Sequence, residues 1–178
     1  MEEEYKVLRD EMNQYYQNIA NYNIALYTGS SAVFALVVDK TDFYYSLVPL
    51  MIIIPLFLLC ENEHRKACKL GAYLNVYCEG TDFHWEMRHH KLDTKEGVGK
   101  RDFREWFPYL ALSIVSCTAS FFKRYSENAD LKDWHLAIPV LLLLLCFVII
   151  IITKVNYPSI RQKYIDEWED LKSNNPNL

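Results

Sequence analysis

The chain has 178 residues, five cysteines and a formal net charge of −4. Its charged residues are segregated from four apolar stretches that hold about 70 residues in all, and the roughly 105 that remain are shared among five segments, too little in any one for an independent enzyme domain of about 100 residues. Nine basic against nine acidic residues in 61–105 argue against a broad nucleic-acid surface and leave a local pocket open, and residues 1–23 lack the basic start and apolar centre of a signal peptide, so no cleaved targeting sequence is expected.

The first element in chain order is a helix. Tyr5, Leu8, Met12, Tyr15, Ile19, Tyr22 and Leu26 recur at alternating steps of four and three, an apolar seam unbroken by Gly or Pro. One helix of about 35 residues is therefore expected to run from residues 1–23 into the first apolar stretch, 24–38. Its seam can pack on the chain's own central and C-terminal segments or form a coiled coil between subunits.

Residues 24–38, 43–60, 106–122 and 134–153 contain no Asp, Glu, Lys or Arg. A helix of about 20 apolar residues, 17 at the least, crosses a hydrocarbon core. The last three stretches meet that limit, and the uncharged residues 20–23 extend the first at the interface. Only 39–42 separates the first two spans, so 24–60 forms one hairpin and 106–153, turning at 123–133, forms a second. Pro49 and Pro55 in the second span and Pro139 in the fourth are positions for kinks. The expected fold class is an all-α integral membrane protein: two transmembrane helical hairpins, four spans, with N-terminal (1–23), central (61–105) and C-terminal (154–178) helical segments in the cytoplasm.

The orientation comes from Lys and Arg. Two lie in 1–23, nine in 61–105 and four in the tail, against one in 39–42 and three in 123–133. Positive charge stays inside, so both termini and the central segment face the cytoplasm of a multi-pass protein in a prokaryotic inner membrane. Cys68 and Cys78 then lie in a reducing compartment, Cys60 at its boundary, and Cys117 and Cys146 in lipid, so no disulfide framework is expected. In the tail, Tyr157, Pro158 and Ser159 break the fourth helix or restart it, and Ile160, Tyr164, Trp168 and Leu171 mark one face of an amphipathic helix.

The central segment holds the residues with chemical potential. Leu70, Tyr73, Leu74 and Tyr77 make a helical face that Gly80 ends. His84, Glu86, His89 and His90 invite a metal reading, but the spacing is not that of a His-Glu-x-x-His helix; on a helix His84 would lie near Arg88 and Glu86 near His90, which suits ion pairing better. Catalytic use of His89 or His90 with Glu79 or Glu86 stands on no firmer ground, since no phosphate loop, serine elbow or Cys-x-x-Cys is present; no enzyme, metal or cofactor is expected. Arg88, His89, His90, Lys91, Lys95, Lys100, Arg101 and Arg104 form a basic run beside Phe83, Trp85 and Phe103. Such a run attracts anionic lipid and enforces topology; alternatively it binds an anionic ligand, a nucleotide or oligonucleotide, with the aromatics as stacking surface.

Inside the spans the polar content is hydroxyl. Thr28 and Ser31 lie in the first span and Ser113, Ser116 and Ser120, at helical spacing, in the third. Small residues of this kind mark close helix packing, or they line a water-filled path in an oligomer. The absence of charged residues gives no sign of a proton relay or voltage sensor.

Two hairpins around a segment containing Gly71-Ala72-Tyr73-Leu74, then Glu79 and Trp85-Glu86, resemble small, mostly uncharacterised prokaryotic four-span membrane proteins, and proteins of that kind are in turn similar to the effectors of nucleotide-signalling anti-phage defence of the Hailong and CBASS types. The resemblance covers most of the chain in architecture and about 16 residues in motif. It implies a homo-oligomeric channel-like or membrane-disrupting effector in the lipid bilayer. Its ligand would be a nucleotide or DNA oligomer made by a partner nucleotidyltransferase and held at Arg88 to Arg104, with Thr28, Ser31, Ser113, Ser116 and Ser120 as pore lining. The alternative is a non-conducting membrane scaffold that recruits a cytosolic partner through its N-terminal and tail helices.

Overall fold

The protein is described here from a computed structural model covering residues 2–37, 39–40, 42–78, 98–128, 134–155 and 157–174. Those residues are all helical or in short turns. Five α-helices run in the order α1 (Glu2–Val37), α2 (Leu50–Cys78), α3 (Val98–Asn128), α4 (Ala137–Val155) and α5 (Tyr157–Asn174), with 3-10 turns at Phe43–Leu47 and Trp134–Leu136.

Local chemistry explains the boundaries. The Asp42 carboxylate accepts the Tyr44 N–H at 3.0 Å and so caps the first 3-10 turn. Pro49 sits immediately before α2, where its missing N–H costs nothing, and its carbonyl accepts the N–H groups of Ile52 and Ile53. Pro139 and Pro158 fall in the first turns of α4 and α5 for the same reason. Pro55 and Pro108 lie inside α2 and α3, where each leaves a carbonyl one turn earlier without its helical donor.

The chain divides into two compact units. The first comprises Met1–Ala20, Cys60–Phe103 and Val155–Leu178. In it Met12 and Ile19 of the α1 seam are buried while Tyr5, Leu8 and Tyr15 are half-buried, so the seam packs within its own chain. α5 packs on the second half of α2: Ile165 is buried with Ala72 and Val76, and Tyr77, Tyr164 and Trp168 close around them. Tyr73 stacks on Tyr77 at 4.8 Å and meets Trp168 edge-on at 5.1 Å. Such aromatic pairs add about 0.5–1.5 kcal/mol beyond area burial. Lys172 Nζ donates to the Val76 carbonyl at 2.5 Å. That carbonyl is among the last four of α2, which lack helical donors, so the ammonium caps the negative end of the helix. The packed face of α5 is thus Tyr164, Ile165, Trp168 and Lys172, and Leu171, expected on it, is exposed.

The second unit comprises Asn21–Leu59 and Arg104–Lys154. Its core holds Leu26 of α1, Leu50, Ile53 and Phe57 of α2, Tyr109 and Cys117 of α3, and Cys146 and Ile150 of α4. α1 and α2 approach closely at Gly29, where a β-carbon would lie 3.6 Å from Ile52. At the turn between them Lys123 Nζ donates to the carbonyls of Val37 and Lys40, at 3.1 and 2.7 Å. Phe43–Tyr77 is long and apolar enough to cross a membrane, and Ala137–Thr153 is apolar but shorter.

Candidate functional site

Two polar constellations occur among the described residues, one in each unit. In the first unit Glu61, Glu63 and His64 follow directly on the apolar stretch of α2 and are buried. Glu63 accepts from Asn18 Nδ2 of α1 at 3.1 Å and from Lys66 Nζ at 2.6 Å. Lys66 also lies 5.7 Å from the centre of the Tyr15 ring, and Tyr15 donates its hydroxyl to Glu11. The Lys66 hydrogen bond, helped by Asn18 and opposed by burial, holds the Glu63 carboxyl below the usual carboxylate range. The Tyr15 hydroxyl is pushed up to about 12, first by its bond to Glu11, then by burial and by the negative charges of Glu11 and Glu63.

The Asn18–Glu63 hydrogen bond ties α1 to α2, with Lys66 holding the carboxylate from within α2, and Glu63 carries one prediction. A depressed carboxyl contributes stability that is fully present above the unfolded value near 4.3 and is lost as pH falls through the folded value below it. Glu63→Gln is expected to destabilise the first unit by about 1–2 kcal/mol at neutral pH, at the low end because Lys66 is about half exposed (47%). It should also flatten the acid limb of the unfolding curve below pH 4.3. Thermal melts of wild type and variant across that range check both effects; a variant with the wild-type acid limb would contradict the assignment.

In the second unit the buried polar groups are hydroxyls. Ser30 of α1, Ser46 of the 3-10 turn and Ser113, Ser116 and Ser120 of α3 are all buried, three of them with no exposed surface (Ser30, Ser116 and Ser120 at 0%). Ser113 donates to the Tyr109 carbonyl at 2.8 Å, and Ser120 donates to the Phe43 carbonyl at 3.1 Å, tying α3 to the first hairpin's turn. Ser30 Oγ and Ser116 Oγ are buried without a hydrogen-bond partner. Leaving a buried hydroxyl unpaired costs about 1–3 kcal/mol. Deeper along α3, Tyr109 is buried, donates to Asn23 Oδ1 at 3.0 Å and meets Phe57 edge-on at 5.4 Å.

The surface of the same unit is apolar. Leu141, Leu144, Leu145 and Val148 of α4, Met51 of α2 and Val115 of α3 are all exposed. The interior of the unit is mostly apolar with the serines set into it, so what departs from a protein in water is the run of large aliphatics on its outer face. A cavity beside Ser113, lined by Ile53, Phe57, Tyr109, Cys146, Ile149 and Ile150, has about 10 Å³ of water-accessible space, enough for about one water molecule. No family model, no curated protein and no solved structure matches the chain.

The residues expected from sequence are distributed as follows. Ser113, Ser116 and Ser120 share the buried face of α3, whereas Thr28 and Ser31 are exposed on α1, with Thr28 bonded back to the Ile24 carbonyl at 2.8 Å. The five therefore do not form a single lining. Lys100, Arg101 and Arg104 lie in the first two turns of α3. Arg88, His89, His90, Lys91 and Lys95 lie outside the described residues, as do His84, Glu86, Glu79 and Trp85. Gly71, Ala72 and Leu74 are buried in the first unit and Tyr73 belongs to its aromatic group, with its hydroxyl donating to Glu4 at 3.1 Å. Tyr109 and Asn23 were not legible as a pair: each reads alone as an interfacial residue, and only the approach of α1 to α3 joins them. Ser30 carried the same signal as Thr28 and Ser31, a hydroxyl in an apolar stretch, but the three differ in the direction they face.

Proposed function

We propose that the chain is a four-span, homo-oligomeric membrane protein of the prokaryotic inner membrane. It acts as a channel-like or membrane-disrupting effector, gated by an anionic nucleotide or oligonucleotide at the basic run from Arg88 to Arg104. The observation that carries the membrane part is the apolar outer face of the second unit, where Leu141, Leu144, Leu145 and Val148 are exposed. Hydrocarbon is the solvent in which such a surface is at its lowest free energy. The resemblance around Gly71-Ala72-Tyr73-Leu74 supports the effector part.

The small cavity beside Ser113 bears on assembly. With room for about one water, it is no lumen for ions, so conduction in this reading requires several copies, with the exposed hydroxyls Thr28 and Ser31 available to a path between them. A ligand would act by population shift, holding one arrangement of the cytoplasmic helices more tightly than another. The scaffold reading would draw on the outer faces of α1 and α5, where Val7, Tyr16 and Leu171 are exposed; it gives the apolar outer face of α4 no role beyond anchoring, so we place it second.

Native mass spectrometry of the protein purified in mild detergent tests the proposal. A defined oligomer with a copurifying nucleotide is the expected result. A ligand-free monomer that leaves vesicles tight to ions would overturn it.

A further inference from the structure

Ser30 and Ser116 are the most costly polar positions in the second unit, each with 0% exposure and a hydroxyl that makes no hydrogen bond. Alanine would fill the same places with almost the same volume and without the penalty of an unpaired hydroxyl. Ser113 and Ser120 on the same face of α3 have found partners, and Thr28 has bonded back to its own helix. The two unpaired groups are therefore not explained by packing in the arrangement seen. The small half-open pocket beside Ser113 is lined otherwise almost wholly by apolar groups, so it offers no second set of polar partners and water would be held by the serines themselves.

We propose that the serine face of α3, with Ser30 of α1, is the dry form of a water-binding seam. In a second arrangement of this unit, water enters between the helices and hydrogen-bonds Ser30, Ser113, Ser116 and Ser120. The ligand is water itself, and the seam is the place where the span region first becomes wet. The inference rests on the membrane reading above and not on the identity of any gating ligand. It gives the buried serines a role distinct from that of the outward Thr28 and Ser31. In the dry arrangement the unpaired hydroxyls raise the free energy of the packed state, and this lowers the gap to the hydrated one.

The test uses thiol accessibility in sealed vesicles of phosphatidylethanolamine and phosphatidylglycerol. In a full-length background with Cys60, Cys68, Cys78, Cys117 and Cys146 replaced by alanine, Ser116→Cys and Val115→Cys are compared for reaction with a charged, membrane-impermeant methanethiosulfonate present on both sides. Val115 is 52% exposed and Ser116 is 0% exposed, so static burial predicts that position 115 reacts faster. The seam predicts the opposite order, several-fold, because the outer face meets lipid while position 116 meets water intermittently. If both positions stay unreactive, the membrane reading survives and the seam is wrong. If position 115 reacts quickly and position 116 does not, both are wrong. A second measurement is independent of the thiols: Ser30→Ala with Ser116→Ala is expected to melt a few degrees higher than wild type, and a lower melting temperature would show that the hydroxyls are satisfied in the resting state and overturn the proposal.

Discussion

Leu144→Arg combined with Val148→Arg is expected to abolish membrane insertion of α4, while the apolar stretch of α2 still holds the chain in the bilayer. Both residues are exposed on α4, at 55% and 47%, and they flank its midpoint. On the biological insertion scale an Arg replacing Leu or Val near a helix centre costs about 3–4 kcal/mol, so the pair costs about 6–8 kcal/mol. The 13 Leu, Ile, Val and Phe residues of Ala137–Thr153 contribute about 4–8 kcal/mol in favour of insertion. The two substitutions therefore cancel most or all of what drives this segment into the bilayer. For a protein in water the outcome is different, since surface substitutions away from special features change stability by about 0.5 kcal/mol or less. A topology reporter fused after Leu178 distinguishes the two cases: a last span that fails to insert leaves the C-terminus on the opposite face from wild type, and an unchanged C-terminal location in an assembled variant would contradict the placement of α4 against lipid.

Tyr109→Ala has the second largest expected effect. Tyr109 is buried at 1% exposure, packs edge-on against Phe57 and donates to Asn23. Truncating a buried aromatic ring costs about 3–5 kcal/mol through lost burial and the cavity left behind, and here the Asn23 carbonyl also loses a donor. A shift of about 2–4 °C per kcal/mol, typical of a chain this long, puts the loss at about 6–20 °C in melting temperature. Tyr109→Phe keeps the ring and removes only the hydrogen bond, so about 1 kcal/mol is expected. Thermal unfolding in detergent, followed by size-exclusion chromatography, measures both. Equal losses for the two variants would mean that the hydroxyl, not the ring, holds α1, α2 and α3 together at this level.

Much of the helical architecture could be read from spacing. The step of three and four from Tyr5 to Leu26 predicts one long helix, and α1 is continuous from Glu2 to Val37. The same spacing left open what the seam packs against, because Tyr, Met and Leu serve both intramolecular and intersubunit contacts; the burial of Met12 and Ile19 settles this for the chain itself. On the tail face Tyr164 and Trp168 lie where their spacing puts them, and Leu171 does not. Ile160, Tyr164, Trp168 and Leu171 suggested the stripe, but Lys172 displaces Leu171 from it because an ammonium can cap the end of α2 while Leu cannot. No periodicity in α5 carries that information, since it depends on where α2 ends.

The hydroxyl residues show the same limit at the candidate site. A serine in an apolar stretch announces a polar group in a nonpolar setting, but its direction depends on the neighbouring helix. Thr28, Ser30 and Ser31 are close in sequence, and one is buried while the other two are exposed. The pairing of Glu63 with Asn18 spans 45 residues, and without the fold Glu63 reads only as one charge in a mixed cytoplasmic segment. The placement of the basic run from Arg88 to Lys95 lies outside the described residues, so its role stays with the sequence argument.

The exposed face of α4 meets hydrocarbon in the reading proposed above. A nitroxide attached through Leu144→Cys, in the cysteine-free protein reconstituted into lipid vesicles, measures this directly by comparing collision with molecular oxygen and with a water-soluble nickel chelate. Oxygen partitions into the bilayer and the chelate does not, so broadening dominated by oxygen is predicted at position 144, and likewise at 141 and 148. A label at position 144 that collides with the nickel chelate as often as a label at the exposed Glu167 of α5 would contradict the membrane reading and, with it, the proposed function.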